Sequence, residues 1–219
     1  MSLVINDIIK IFSMFKKTFL FLVLVSASFH LQAQFGYGMT ANVDLYQRYT
    51  NPDKNEISPS AGNALLNLGL GPKIWLGGKK VSFSAEAMAV LGMTGFSTKD
   101  YKGMGMVAIP IMGKLNFNGL STFDREGALG WNVGGGVQYN RTEAYGLSDE
   151  YAQKGITRDY FKTIIAQVGY GYGISGFTMQ GFVRYGWNPD NNARTLNIGL
   201  ISDFNIPMLR KITNPESAL

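Results

Sequence analysis

Five charged residues stand where the surrounding sequence alternates between apolar residues and small polar residues. They are two cations and three carboxylates: Asp44, Glu86, Lys114, Arg184 and Asp203. Charges in such positions could form a gate, in which ion pairs exchange partners and open a narrow water path. They could instead form a satisfied salt-bridge network, because a buried charge must be paired to be tolerated. The choice between these interpretations depends on the elements that carry the residues.

The usual residues for acid–base and metal chemistry are scarce. The chain has one histidine, His30, and no cysteine. His30 falls within an expected leader peptide, so the exported protein would lack Ser-His-Asp, His-Asp and histidine–metal mechanisms. No close pair of Asp and Glu residues stands out as a replacement. We therefore expect no enzymatic activity, no cofactor and no metal, and a lipid-modifying enzyme is the least favoured function.

The first 33 residues have the features of a secretory signal peptide. Lys16 and Lys17 precede a short apolar core, and Ala33 offers a small residue at the cleavage point. The core has about a dozen apolar residues, fewer than the ~20 that a spanning helix needs. Residues 1–33 are therefore expected to be removed, and Met14 gives a better leader than Met1 if it is the true start.

The rest of the chain alternates with a period of two. From Phe35 to Leu45 every odd position is apolar and every even position is Gly, Thr, Asn or Asp, which is typical of a strand with two different faces. This length matches a strand tilted across a bilayer (about 9–11 residues) better than the ~5–6 residues of a soluble strand. Similar segments follow, one of which is expected to place Ala64, Leu66, Leu68 and Leu70 on one face. The pattern predicts an all-β fold, an eight-stranded antiparallel transmembrane β-barrel.

One predicted strand, residues 104–117, contains Pro110. A closed barrel has no free edge where a missing N–H can be hidden, so we expect a β-bulge at this proline.

The predicted connections alternate in length. Short turns fall at 77–80 and 174–176, and longer polar loops at 50–61, 95–102, 142–158 and 188–193. Short periplasmic turns and long external loops are expected of outer-membrane barrels, which places both ends of the barrel in the periplasm. The connection 118–127 is longer than this pattern favours.

Alternation alone does not show which face contacts lipid. The polar face is rich in Gly, Asn, Gln and Thr, which suits a crowded lumen, and charged residues make up only 16% of the chain, against roughly 25% in soluble domains. Aromatic residues lie near strand ends, as interfacial girdles do: Phe35, Tyr37, Tyr49, Trp75, Trp131, Tyr139, Tyr172, Tyr185 and Trp187. We expect the apolar face to contact lipid and the five charged residues to point into the lumen. Because an eight-stranded lumen is only wide enough for side chains, the satisfied network is favoured over the gate.

The chain resembles a known group of proteins in pattern and length. A leader ending in Leu31-Gln32-Ala33-Gln34, eight alternating strands and a terminal strand ending in Phe204 resemble the PorT-like outer-membrane barrels of the Bacteroidota. The resemblance covers the whole mature chain but rests on no diagnostic motif, so no functional residue is carried over. Some members are linked to secretion machinery, which implies a structural or accessory role in an envelope assembly.

Together these features predict a barrel over residues 34–206 and a short periplasmic C-terminal tail over 207–219. The expected location is the outer membrane, and the expected partners are its lipid and lipopolysaccharide and other envelope proteins. The positive charges are scattered, so no nucleic acid is expected. Tyr145 and Tyr151, in the longest loop, are the candidates for contact with a partner. A narrow channel or small-solute carrier is the alternative function.

Overall fold

The computed structural model describes residues 34–52, 61–92, 94–96, 103–155 and 158–213. The predicted leader, with His30, lies outside the described residues. Within them, no helix has the length and apolar character needed to cross a membrane.

Eleven strand segments form a single antiparallel sheet. They are β1 (Gln34–Thr50), β2 (Ala61–Leu65), β3 (Asn67–Gly77), β4 (Val81–Ala87), β5 (Ala89–Gly92), β6 (Thr94–Phe96), β7 (Gly103–Asn118), β8 (Ala128–Leu147), β9 (Phe161–Ile174), β10 (Phe177–Trp187) and β11 (Arg194–Asn205). Two helices accompany them, α1 (Asp149–Gln153) and α2 (Ile206–Thr213).

The sheet closes into a ring of eight strands. β2 and β3 are consecutive parts of one strand, as are β4, β5 and β6, and each of the remaining segments is a strand by itself. β1 pairs with β3 on one side and with β11 on the other, from Gly38 opposite Asn205 to Thr50 opposite Arg194. Since the first and last strands pair with each other, the predicted eight-stranded antiparallel barrel is confirmed.

The two ends of the barrel differ in their connections. At one end the strands are joined by the short turns 78–80 and 175–176, and Gln34 and Asn205 lie at this same end. Short turns mark the periplasmic end of bacterial barrels, so the other end is extracellular. The connection 119–127 also lies at the periplasmic end and contains a 3-10 turn at Gly119–Ser121.

Most of the large apolar side chains point away from the barrel, and most of the polar ones point into it. Phe35 is 60% exposed and Leu68 61%, whereas Asn67 is 0% and Asp44 1% exposed. Because side chains alternate along a strand, one face of each strand joins a continuous apolar outer wall and the other lines a polar lumen. This arrangement is the reverse of a soluble barrel and leaves the outer wall suited to hydrocarbon.

Pro110 does not produce the expected bulge. β7 stays in register with β8 at this point, where Pro110 faces Gln138, and the register with β4 and β5 is the same on both sides of the proline. The carbonyl of Pro110 accepts a hydrogen bond from the N–H of Met88 (3.0 Å). In an antiparallel pair the N–H and the carbonyl of such a residue point to the same neighbouring strand, so the hydrogen bond that proline cannot donate is one to Met88. The prediction was wrong because the strand tolerates the loss of one ladder hydrogen bond. The register of β7 shifts instead between Met104 and Met106.

Ala64 does not share the outer face with Leu68. It is 0% exposed and points inward, while Leu65 and Leu66 are both exposed. Leu66 has a φ of 57°, and this left-handed residue separates β2 from β3 and reverses the alternation between them. A pattern of period two cannot be carried across such a residue.

Two of the nine predicted girdle aromatics point inward. Tyr49 is 6% exposed because the register of β1 shifts between Asp44 and Tyr46, which reverses the alternation beyond this point. Trp75 is 1% exposed and follows the inward positions Asn67 and Lys73 of β3 without interruption. The other seven aromatics are between 37% and 60% exposed on the outer wall.

Candidate functional site

All five charged residues selected from the sequence lie inside the barrel. Asp44, Lys114, Arg184 and Asp203 are each 1% exposed, and Glu86 is 4% exposed. The structure adds Lys73 of β3, which the sequence analysis missed and which is also 1% exposed. Lys73 continues the alternation that begins at the inward positions Asn67 and Gly69, so extending that pattern along β3 would have identified it.

Glu86 lies at the centre of a group of four charges. Its Oε2 is 2.8 Å from Nζ of Lys73 and its Oε1 is 2.5 Å from Nζ of Lys114. Nζ of Lys73 is also 2.9 Å from Oδ2 of Asp203. These four side chains are at most 1% exposed, so two cations and two carboxylates neutralise each other away from bulk water. Such geometry is what makes buried charges tolerable.

Asp203 extends this group towards a different part of the wall. Its Oδ2 accepts hydrogen bonds from Oγ1 of Thr178 (3.2 Å) and Nε2 of Gln180 (3.4 Å), both on β10. Oε1 of Gln180 in turn accepts a hydrogen bond from Nδ2 of Asn132 on β8. Lys73 and Asp203 belong to strands that are separated by β1, and Asn132 and Gln180 to strands that are separated by β9. The side chains therefore bridge the lumen rather than only adjacent strands.

Arg184 is held by amides. Its Nε donates to Oε1 of Gln167 (3.0 Å) and its Nη1 donates to Oε1 of Gln138 (3.3 Å). The guanidinium also lies 5.1 Å from the centre of the Phe182 ring. These contacts connect β8, β9 and β10 from the inside.

Asp44 is also held by side-chain amides, from which it accepts hydrogen bonds. It accepts hydrogen bonds from Nδ2 of Asn42 and Nδ2 of Asn197, both at 2.6 Å. With Asp44 and Arg184 included, the described lumen contains three cations and three carboxylates, a formal sum of zero: Lys73, Lys114 and Arg184 against Asp44, Glu86 and Asp203.

The extracellular mouth is bridged across its full width. Asn51 follows β1, and Thr142 lies on β8, which is four strands away in a ring of eight. Nδ2 of Asn51 is 2.9 Å from Oγ1 of Thr142, and both residues are buried. Beside them, Glu143 accepts a hydrogen bond from Nε of Arg158 (3.0 Å).

The periplasmic end is closed by apolar side chains. Trp75 of β3, Phe123 of the connection 119–127 and Met208 of α2 form a buried cluster, which we call the periplasmic lid. The connection is attached to its surroundings by hydrogen bonds from Oγ of Ser121 to the carbonyl of Lys79 (2.5 Å) and from Nδ2 of Asn205 to Oγ1 of Thr122 (3.0 Å). The unexpected length of this connection is thus used to cover the lumen.

The two tyrosines selected as contact residues are placed differently from each other. Tyr145 is 56% exposed and lies on β8, which continues to Leu147 and so extends well into the segment predicted to be a loop. Its ring occupies the space beside Gly105. Tyr151 lies on α1. A role for either residue in binding a partner stays a prediction.

The arrangement can fill and brace a barrel. Among the described residues, no group of three or more histidine, aspartate or glutamate side chains could hold a metal ion. A closed antiparallel sheet with an apolar wall and a polar, packed lumen is the architecture of a bacterial outer-membrane barrel. This chain is an outer-membrane β-barrel.

Known proteins resemble this chain in structure but not in sequence family. No protein-family model matches the chain, and no curated protein matches it. Similar solved structures include the outer membrane protein OprG from Pseudomonas aeruginosa, with 14% identity, a TM-score of 0.40 and coverage of 78% of this chain and 96% of OprG. Neisserial surface protein A has 11% identity, a TM-score of 0.42 and coverage of 80% and 99%. Ail of Yersinia pestis has 11% identity, a TM-score of 0.39 and coverage of 78% and 99%. At these identities no ligand or activity is transferred to this chain.

Proposed function

We propose that the protein is a closed, non-enzymatic outer-membrane barrel that serves as a structural or accessory subunit of an envelope assembly. The observation that carries this proposal is the lumen, which is occupied at three levels: the Asn51–Thr142 bridge at the mouth, the charge group around Glu86, and the periplasmic lid. A protein that used its lumen for transport would have to break these contacts in each cycle.

The charge group makes opening costly. Separating Glu86 from Lys114 would leave the buried lysine without a partner among the described carboxylates, a change that typically costs about 3–5 kcal/mol. The six lumen charges also sum to zero, so the lumen offers no excess of one sign to attract an ion. Both features favour bracing of the wall over conduction.

An accessory role is supported by what the outside of the barrel offers. β7 and β8 stay paired as far as Gly103 and Leu147, past Asn140, where the pairing of β8 with β9 ends. This two-stranded extension is followed by α1 at the extracellular side. The resemblance to PorT-like barrels, some of which are linked to secretion, agrees with a role in which surface contacts matter more than the lumen.

The test has two parts on the full-length protein. In planar bilayers the reconstituted barrel should produce no stable single-channel steps, while its heat-modifiable migration on gels shows that the same sample is folded. Stable steps would contradict the closed barrel and favour a narrow channel. In detergent extracts of cross-linked envelopes the barrel should retain a stoichiometric protein partner, and recovery of the barrel alone would contradict the accessory role.

A further inference from the structure

Among the residues that the structure describes, the outer wall of the barrel carries charges of one sign only. Among the described strands, the carboxylates lie in the lumen or are buried at its mouth, in the case of Glu143. The charged residues that point outward are all basic, and we call them the rim cations: Arg48, Arg141, Lys162 and Arg194. Arg48 faces outward because the register shift in β1 reverses the alternation after Asp44.

All four rim cations lie at the extracellular end. Arg48 is near the end of β1, Lys162 is the second residue of β9, and Arg194 is the first residue of β11. Arg141 lies on the extracellular half of β8, where its guanidinium is 5.8 Å from the centre of the Tyr160 ring. The outward positions at the periplasmic ends of the described strands are uncharged.

The rim cations form an arc over neighbouring strands. β8, β9, β10, β11 and β1 follow one another around the barrel, and all but β10 contribute a cation. β10 contributes Trp187, which is 37% exposed and pairs directly with Arg194. Among the residues that the structure describes, no carboxylate forms an ion pair with any of the four.

Below the arc, the outer wall has an apolar groove. It has a volume of about 440 Å³ and is lined on the outer face by Trp131, Val168, Tyr170, Val183 and Ile198 around Gly181. Gly181 leaves this gap because it is an outward position without a side chain, and a Cβ there would meet no atom closer than 4.0 Å.

The spacing between arc and groove suits a lipid. Gly181 pairs with Leu200, six residues along β11 from Arg194, which corresponds to about 20 Å along the strand and about 15 Å of depth at a tilt of ~40°. An apolar band about 25 Å tall places the middle of the bilayer at a similar depth, where the tails of outer-leaflet lipids end.

We propose that the rim cations and the groove at Gly181 together bind an outer-leaflet lipid whose headgroup carries phosphate groups. Arginine matches phosphate oxygens with paired N–H donors, and unpaired cations beside a membrane surface attract anionic headgroups. The groove receives the end of an acyl chain of the same molecule. This site lies on the outer wall and does not depend on whether the lumen conducts or a protein partner exists.

The headgroup half of the proposal is tested with matched charge variants. The triple variant Arg48→Gln/Lys162→Gln/Arg194→Gln removes three outward cations, and Lys79→Gln/Lys80→Gln/Arg125→Gln removes three cations from exposed periplasmic turns. Each protein is placed in phosphatidylcholine nanodiscs and titrated with bis-phosphorylated lipid A. We expect the rim variant to bind about tenfold more weakly or worse, and the turn variant to bind like the wild type.

Other outcomes would overturn the proposal. Equal losses in both triple variants would show a general charge effect instead of a site, and unchanged binding in the rim variant would exclude the rim cations. Dephosphorylated lipid A should bind the wild type as weakly as lipid A binds the rim variant, and equal binding of both lipids would remove phosphate from the explanation. Heat-modifiable migration confirms that each variant is folded.

The proposed contact between the groove and the acyl chain is tested with one substitution that fills the groove and one matched control. Gly181→Leu fills the groove at a position where the backbone has open space, and Ala89→Leu adds the same side chain to an exposed outward position on the opposite wall. We expect Gly181→Leu to weaken lipid A binding several-fold and Ala89→Leu to leave it unchanged. Identical affinities would show that the groove holds no part of the lipid.

Discussion

Glu86 is the single residue on which the interior depends most. It contacts both lysines of the charge group, at 2.8 Å and 2.5 Å, while Lys114 has no other carboxylate within ion-pair distance among the described residues. A buried ion pair adds little to stability relative to apolar residues, but removing one partner leaves the other charge unbalanced. The main role of Glu86 is therefore to balance the buried charges of the two lysines, and its ion pairs add little further stability to the barrel.

The variant Glu86→Gln should lower the free energy of unfolding by about 3–5 kcal/mol, because it preserves shape but leaves a buried excess of positive charge. Urea unfolding in lipid vesicles, followed by heat-modifiable migration, measures this change. Glu150→Gln is the matched control, since Glu150 forms an exposed ion pair with Lys154 in α1 and its substitution should have no measurable effect. Equal stability of the two variants would contradict the buried network.

Which residues face the lumen was largely predictable, because the evidence for it is local. All five selected charges lie on the inner face that the alternation indicated. The lumen around them is crowded: a Cβ on Gly134 would lie 2.5 Å from Cγ of Lys114, so the larger side chain requires the smaller neighbour. The pairing of these charges was not predictable. Lys73 meets Asp203 across 130 positions of sequence, and only closure of the barrel brings them together.

At the scale of elements, the prediction failed where alternation was interrupted. Leu66 with its positive φ and the register shift after Asp44 each reverse the faces of the residues that follow. Such reversals depend on how neighbouring strands are paired and leave no reliable trace in composition. Pro110 shows the opposite case, in which a residue expected to disturb a strand leaves its register unchanged.

The helix α2 and the connection 119–127 were the elements least anticipated from the sequence. Each comes directly after a strand but does not itself show the alternating pattern. Each contributes one buried side chain to the periplasmic lid: Met208 from α2 and Phe123 from the connection. Both side chains pack in one buried cluster with Trp75 of β3. The inward direction of Trp75, which the girdle interpretation missed, is what makes the lid possible.

Met208→Ala should detach α2 from the lid. Removing this buried side chain is expected to lower the free energy of unfolding by about 2 kcal/mol and to increase quenching of Trp75 fluorescence by acrylamide. Arg210→Ala alters an exposed residue of the same helix and should change neither quantity. If the two variants behave alike, α2 does not contribute to closing the barrel.

For the molecule as a whole, the decisive property is the direction of the apolar face. Composition predicted this direction, since the polar face is poor in the lysine and glutamate that would solubilise an exterior. The structure places large apolar side chains on the outside of every strand of the ring and most of the polar or charged ones inside. The same distribution leaves the four rim cations as the outward charges of the described strands, so the outer wall is both apolar and, at one end, positive.

The three tryptophans provide a direct measurement of this orientation. Trp131 and Trp187 are 48% and 37% exposed on the outer wall, whereas Trp75 is 1% exposed inside the barrel. In variants that keep one tryptophan and replace the other two by phenylalanine, phosphatidylcholine with brominated acyl chains should strongly quench Trp131 and Trp187, because bromine acts at close range. Trp75 should keep its fluorescence, since the wall of the barrel separates it from lipid. Strong quenching of Trp75 with little effect on the other two would mean that the apolar face is turned inward, and the lipid-facing wall, the closed lumen and the lipid site would then all be wrong.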